Sequence, residues 1–296
     1  MSEERKQEII KILNSVGVDS DFLISETFLG YKQRKKEHKL YTDDANIPTQ
    51  LIKLYYALGP STITFDNMKK AFITKYASNE SKIEGVNDTN IHNSIEVKGL
   101  RKMYEYIHSD DIEYMFDVYT LCELHRQLFS YTEFPEYAGL FRNFDVYLPG
   151  TGTELSEWDM IRPTLNEIDK EVQELRRIAP IIRRNNDING LMSYLDRCVI
   201  VGCRLIKVHP FSDGNGRTIR GFVNKLFEDI GLPPIYIKTN ERFEYHTAMN
   251  KANNEGDYTE IKAFYRYKVC DSIIELDINE RVNKNSPKKR VLEPNK

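Results

Sequence analysis

Residues 209–220 read His-Pro-Phe-Ser-Asp-Gly-Asn-Gly-Arg-Thr-Ile-Arg. This short run offers a titratable base in His209 and a hard-cation ligand in Asp213. Gly214, Asn215 and Gly216 can cradle an anion, because glycines let the backbone approach closely and adopt left-handed conformations. Arg217 and Arg220 supply two fixed positive charges. The flanks set the geometry. The stretch before the run is strongly apolar at helical spacing (Leu191, Leu195, Val199, Leu205), and Gly231-Leu-Pro-Pro234 stops a helix starting near Asn215. The run is therefore a loop between two helices, with the amides of the second helix's first turn pointing outward as an anion site. Arg217 and Arg220, three residues apart, share a face of that helix. His209 ends the preceding helix and can serve as general base, and Phe211 pins the loop into the core. Taken singly, a histidine, a Gly-Asn-Gly turn and two helical arginines each have a structural explanation. Their conjunction in one loop is the inventory for moving a phosphoryl-type group. The chain has no G-x-x-x-x-G-K-[ST] and no G-x-G-x-x-G after a strand.

Outward from that loop, three- and four-residue apolar periodicity predicts helices over 3–15, 65–84, 111–130, 158–178, 187–208, 215–230, 240–254 and 258–279. The fold class is all-α, and the apolar 187–208 segment is expected to be the central, most buried helix. Strand signals are few. Asn143–Leu148, a Pro149-Gly-Thr-Gly152 turn and Thr153–Leu155 suggest a β-hairpin. A lone hairpin is marginal by itself, so on a helical protein it reads as a flap or recognition edge. Residues 1–64 form an N-terminal helical and connecting region, of which 31–65 is left unassigned. Residues 65–280 are the main domain, and 281–296 lack periodicity and are expected to be disordered.

With 296 residues, 40% hydrophobic and 29% charged, the chain can bury a substantial core. A formal charge of −3 gives no general reason to bind nucleic acid, and the basic stretches at Lys32–Lys39 and Lys288–Arg290 are short. Cys122, Cys198, Cys203 and Cys270 are widely spaced, without a metal-binding pattern, and read as reduced thiols. No apolar run is long enough to cross a bilayer and none follows the charged N-terminus as a signal, so a cytoplasmic protein with no membrane partner is expected.

The 209–220 run resembles the signature of the Fic (filamentation induced by cAMP) domain family: His, any residue, Phe, any residue, Asp or Glu, Gly-Asn-Gly-Arg, two residues, Arg. Every specified position matches. Leu124-His125-Arg126, Tyr137-Ala138-Gly139 and Arg142-Asn143 resemble the family's approach to its flap. Arg242, Tyr245, Ala248, Ala252-Asn253 and Gly256-Asp257 resemble its adenine-side helix. The resemblance, covering about residues 65–275, implies a Fic-type helical bundle with a small β-hairpin flap. It implies a protein adenylyltransferase that moves AMP from ATP to a Ser, Thr or Tyr hydroxyl of a target protein. On that reading His209 deprotonates the target, Asp213 holds Mg²⁺, and Gly214, Asn215, Gly216 and Arg217 hold the phosphates. Arg220 takes the γ-phosphate, Tyr245 and Asn253 line the adenosine pocket, and the target docks on the hairpin 143–155. A homodimer is expected from the resemblance alone.

Ser78-Asn-Glu-Ser-Lys-Ile-Glu-Gly85 resembles the end of an inhibitory helix (about 65–85) found in one class of the family. That pattern is Ser or Thr, three residues, Glu, then Gly or Asn. Glu84 takes the glutamate's place and is expected to compete with the γ-phosphate for Arg220. The pattern is imperfect, since Glu80 stands where Ser or Thr belongs. Ser81-x-x-Glu84 also reads as a capping box and Gly85 as a helix C-cap. The rival functions are removal of AMP with Glu84 as base, transfer of another phosphate-containing group, and a nucleotide-binding regulatory or interaction protein without transfer activity.

Overall fold

The computed structural model describes residues 48–49, 52–53, 56, 62–83, 95–133, 135–148 and 152–285. Its main helices, in chain order, are α1 (Thr62–Ile83), α2 (Ile95–Ile107), α3 (Asp110–Tyr114), α4 (Thr120–Leu128) and α5 (Ile161–Asn185). They continue with α6 (Ile188–Val208), α7 (Asn215–Asp229), α8 (Arg242–Glu255) and α9 (Thr259–Asn285). No helix among the described residues is long and apolar enough to cross a membrane. Cys198, Cys203 and Cys270 are buried and Cys122 is partly so, and no disulfide joins them.

The apolar periodicity of α6 buries Leu191, Leu195, Cys198, Val199, Val201 and Leu205, and Asp187 caps its start by accepting from the Gly190 amide at 2.9 Å. Yet the most enclosed helix is α7. It packs against α2, α4, α5 and α6, and every residue from Arg217 to Phe227 is buried. Sequence periodicity points to α6 because α7 carries Arg217, Thr218, Arg220, Asn224 and Lys225 at buried positions. Buried polar groups need partners. Asn224 finds them by bonding both the N–H and the C=O of Ile235, each at 2.8 Å, which fastens the 232–237 segment to α7. Lys225 pairs with Asp229 at 2.5 Å. The two arginines find theirs at the site described below.

The predicted helix over 111–130 is two helices. Asp117 breaks it, accepting from the Thr120 amide while its own amide donates to the Thr120 hydroxyl, both at 3.1 Å. This reciprocal cap starts α4 afresh. Helix α2 escaped the periodicity reading, although Val97, Leu100, Tyr104 and Ile107 carry a helical stripe and are buried. At the C-terminal end α9 continues to Asn285, past the helix end expected at 279. In the unassigned 31–65 stretch, Pro48, Ile52 and Tyr56 are helical and buried. The helix expected over 3–15 lies outside the described residues.

The hairpin expected at 143–155 is not formed: residues 143–148 and 152–157 are irregular, and no strand occurs among the described residues. The physical reason lies at its two ends. The amide of Arg142 donates to the Pro210 carbonyl at 2.9 Å and that of Ser156 to Lys207 at 3.1 Å. The buried Arg142 guanidinium donates to the carbonyls of Phe144 (2.7 Å), Val208 (3.2 Å), His209 (2.8 Å) and Ser156. Groups that a hairpin ladder would use are engaged with the loop after α6 instead. The segment is a strap held at its base by one arginine.

Candidate active site

The 209–220 run joins α6 to α7 as a tight loop. His209 closes α6 in the left-handed region (φ 49°), with its amide bonded to the Leu205 carbonyl at 3.0 Å. That conformation is uncommon for a residue with a β-carbon, and the surroundings enforce it. Arg142 holds the His209 carbonyl from one side. On the ring, Nδ1 lies 3.3 Å from the Ile206 carbonyl. A carbonyl can only accept, so this contact places the proton on Nδ1 and makes Nε2 the basic nitrogen.

Phe211 is fully buried and stacks on His125 with centroids 3.9 Å apart. The side chain of Asn215 grips the same residue, accepting from the Phe211 amide at 2.9 Å and donating to its carbonyl at 2.7 Å. Asn215 thus shapes the loop with its side chain and offers an anion only its backbone amide. His125, from α4, is a second strut. Its Nε2 donates to the Asp213 carbonyl at 3.0 Å, and its Nδ1 accepts from the Gly139 amide at 2.8 Å. Both roles fit one neutral tautomer, and burial pushes its pKa down from the ordinary 6.5 to about 4. Sequence reading placed His125 in the approach to the flap without giving it this structural role.

Gly214 begins α7 at φ +71°, and a β-carbon there would lie 2.4 Å from the Phe129 ring. Only glycine satisfies both conditions. Beyond it the first amides of α7 lack intrahelical partners, and the positive end of the helix dipole faces the same point. Asp213 stands at the rim with its side chain 74% exposed.

Arg217 and Arg220 emerge one turn into α7, both 4% exposed. Arg220 pairs with the fully buried Glu80 of α1, its Nε 2.7 Å and Nη2 2.5 Å from Glu80 Oε2. The guanidinium of Arg220 also lies 5.7 Å from the centre of the Tyr245 ring. The glutamate singled out from the sequence, Glu84, lies outside the described residues. Glu80, four residues earlier, is the carboxylate that reaches Arg220 among the described ones. Its signal in sequence was the departure from the inhibitory pattern at that position. Arg217 contacts two carboxylates, Glu96 Oε1 of α2 at 3.3 Å and both oxygens of Asp213 at 3.4 Å. Its Nε is buried without a hydrogen-bond partner, and its guanidinium sits 5.7 Å from the Phe129 ring centre.

Tyr245 and Asn253 lie on α8, both buried. Tyr245 packs on Phe264 and against Arg220, and burial raises its hydroxyl pKa. Asn253 meets α6 through its carbonyl, which accepts from Lys207 at 3.1 Å. The fold thus brings His209, Asp213, Gly214–Gly216, Arg217, Arg220 and Tyr245 around the start of α7, with α8 alongside.

Residues 115–227 match the model of the Fic/DOC family. Among curated proteins, the protein adenylyltransferase Fic of Drosophila ananassae is 26% identical over 217 residues, covering 72% of this chain and 38% of that protein. The protein of the same name from Nematostella vectensis is 28% identical over 178 residues, covering 58% and 36%. The chain spans less than two-fifths of the length of these relatives. Among solved structures, a fragment of Fic-1 from C. elegans superposes with a TM-score of 0.55 at 18% identity, over 86% of this chain and 87% of that one. A Fic-domain-containing signalling protein from Bacteroides thetaiotaomicron gives 0.60 at 14% identity, over 78% and 98%. The 209–220 loop lies inside the region that matches the Fic/DOC family model.

Proposed function

We propose that this protein transfers AMP from ATP to a hydroxyl of a target protein and that it holds itself off through the Glu80–Arg220 pair. The observation that carries the reading is the placement of His209 at the end of α6 and of two buried arginines in the first two turns of α7, on either side of the 210–214 loop. Curated relatives named protein adenylyltransferase Fic support the same chemistry.

In the reaction, the target hydroxyl oxygen attacks the α-phosphorus and forms an O–P bond. The bond from that phosphorus to the bridging β-oxygen breaks, and pyrophosphate leaves. The hydroxyl proton passes to His209 Nε2, the nitrogen left basic by the Nδ1 contact with Ile206. The α7 amides and Arg217 hold the phosphates in line and take up negative charge as it shifts. The orphaned Nε of Arg217 fits a phosphate oxygen as partner. Asp213 suits Mg²⁺, which binds through one or two carboxylates plus substrate phosphates and supplies charge neutralisation when present. Tyr245 and Asn253 stand on the helix assigned to the adenosine side. The strap at 143–155 is the docking edge for the target, presenting the exposed Phe144 and Tyr147 from a base held by Arg142.

Self-inhibition follows from the position of Glu80. A carboxylate on Arg220 occupies the donors that the γ-phosphate needs and adds negative charge beside it. ATP labelled at the α- or the γ-phosphate tests the whole reading. Label transferred to protein from the α position alone, lost in His209→Ala and increased in Glu80→Ala, is the expected result. Transfer from the γ position identifies a kinase and overturns it. A parallel Glu84→Gly variant separates the two glutamates, and a gain from Glu84→Gly without one from Glu80→Ala transfers the inhibitory role to Glu84.

A further inference from the structure

Arg220 is not the only phosphate-side arginine facing a carboxylate from the N-terminal helices. Arg217 faces Glu96, in the first turn of α2, at 3.3 Å. Glu96 Oε2 in turn accepts from the Ser81 hydroxyl at 3.4 Å, and Ser81, buried, is the immediate neighbour of Glu80 on α1. α1 and α2 pack on each other, so one helix pair delivers a carboxylate to each arginine.

The two contacts differ in quality. Glu80 is fully buried and doubly bonded to Arg220. Glu96 is about one-third exposed (34%), and its distance to Arg217 is longer than the 2.7–2.9 Å usual for a charge-assisted bond. Asp213 is no closer to Arg217, at 3.4 Å, and the Arg217 Nε is buried without a hydrogen-bond partner. A carboxylate in the first turn of α2 also lies at the positive end of that helix's dipole, so Glu96 has a favourable electrostatic partner besides Arg217. Arg217 is therefore loosely held and under-satisfied, ready to exchange long carboxylate contacts for short phosphate ones.

We propose that Glu96 is a second inhibitory carboxylate, positioned by Ser81, that opposes phosphate binding at Arg217 as Glu80 does at Arg220. The inference rests on the transferase reading and deepens it. It divides the inhibition by phosphate: Glu80 acts on the γ-phosphate, whereas Glu96 acts on phosphates that ATP and ADP share. Glu96 touches no reacting atom and is a positioning residue.

Calorimetric titration with ATP and with ADP tests this on the full chain, with thermal melting to verify folding. Glu96→Gln removes the charge and keeps the size. It is expected to tighten ATP and ADP by the same factor, about tenfold after discounting for exposure. Glu80→Gln is expected to tighten ATP but not ADP. Ser81→Ala, which only releases Glu96, should tighten ADP by about threefold and serves as the deciding variant if Glu96→Gln does not fold. A purely structural role for Glu96 would weaken or leave unchanged both affinities. Unchanged or weaker ADP binding in folded Glu96→Gln, beside tighter ATP binding in Glu80→Gln, overturns this inference and leaves the transferase reading standing. Failure of every variant to bind either nucleotide overturns both.

Discussion

Replacing Glu80 by alanine should make this protein less stable and more active at once. The carboxylate is fully buried and receives two charge-assisted bonds from Arg220, at 2.7 and 2.5 Å. Removing one partner of such a pair strands the other charge, at a cost of about 3–5 kcal/mol. For a chain of this size, each kcal/mol moves the melting temperature by about 2–4 °C, so a fall of about 10 °C is expected without nucleotide. ATP sees the opposite effect. To reach Arg220 its γ-phosphate must displace bonds worth about 1.5–3 kcal/mol each, partly replaced by its own. If a net 2–3 kcal/mol is relieved, ATP binds about 30-fold or more tightly in Glu80→Ala. Because ATP restores a negative partner to Arg220, it should also recover most of the lost melting temperature. Scanning calorimetry with and without ATP, joined to titration calorimetry, measures both quantities. A Glu80→Ala protein whose melting point and ATP affinity both match wild type would refute the reasoning, since the pair would then hold neither the fold nor the site.

Three further outcomes follow from the site's supports. His125 has a folded pKa of about 4 against an ordinary 6.5. Its depressed value means stability is fully present above pH 6.5 and falls by up to about 3 kcal/mol as the pH drops toward 4, below which both states are protonated. Denaturant unfolding at stepped pH should show this slope, and His125→Asn should flatten it. Gly214→Ala should cost about 1–3 kcal/mol from the left-handed backbone alone, with further loss from the 2.4 Å approach to Phe129. Adding Phe129→Leu should recover only the steric part, read by urea midpoints. Arg142→Lys keeps the charge but cannot reach four carbonyls, so limited proteolysis should cut the 143–155 strap several times faster, while ATP affinity changes little.

The arrangement of residues 209–220 was legible without coordinates because it is local. Glycine before a helix, arginines three apart and a histidine at the preceding helix end fix their mutual geometry through the backbone itself. Helix content was legible for the same reason in most segments with an apolar face, α2 being missed although Val97, Leu100, Tyr104 and Ile107 carry one. Periodicity ranked α6 above α7 because it scores Arg217, Arg220, Asn224 and Lys225 as solvent-facing, whereas the fold buries each beside a partner: Glu96, Glu80 and Ile235 come from other segments and Asp229 from α7 itself. The strap at 143–155 has the alternation and turn of a hairpin, yet Arg142, Pro210 and Lys207 take up the groups a ladder would need. Which carboxylate reaches Arg220 was beyond any local rule. Among the described residues it is Glu80, 140 residues away in sequence and four before Glu84. Sequence alone determined the loop between α6 and α7 and the residues proposed as phosphate cradle and base. Tertiary packing decided what opposes them, because a charge finds its partner by distance in space.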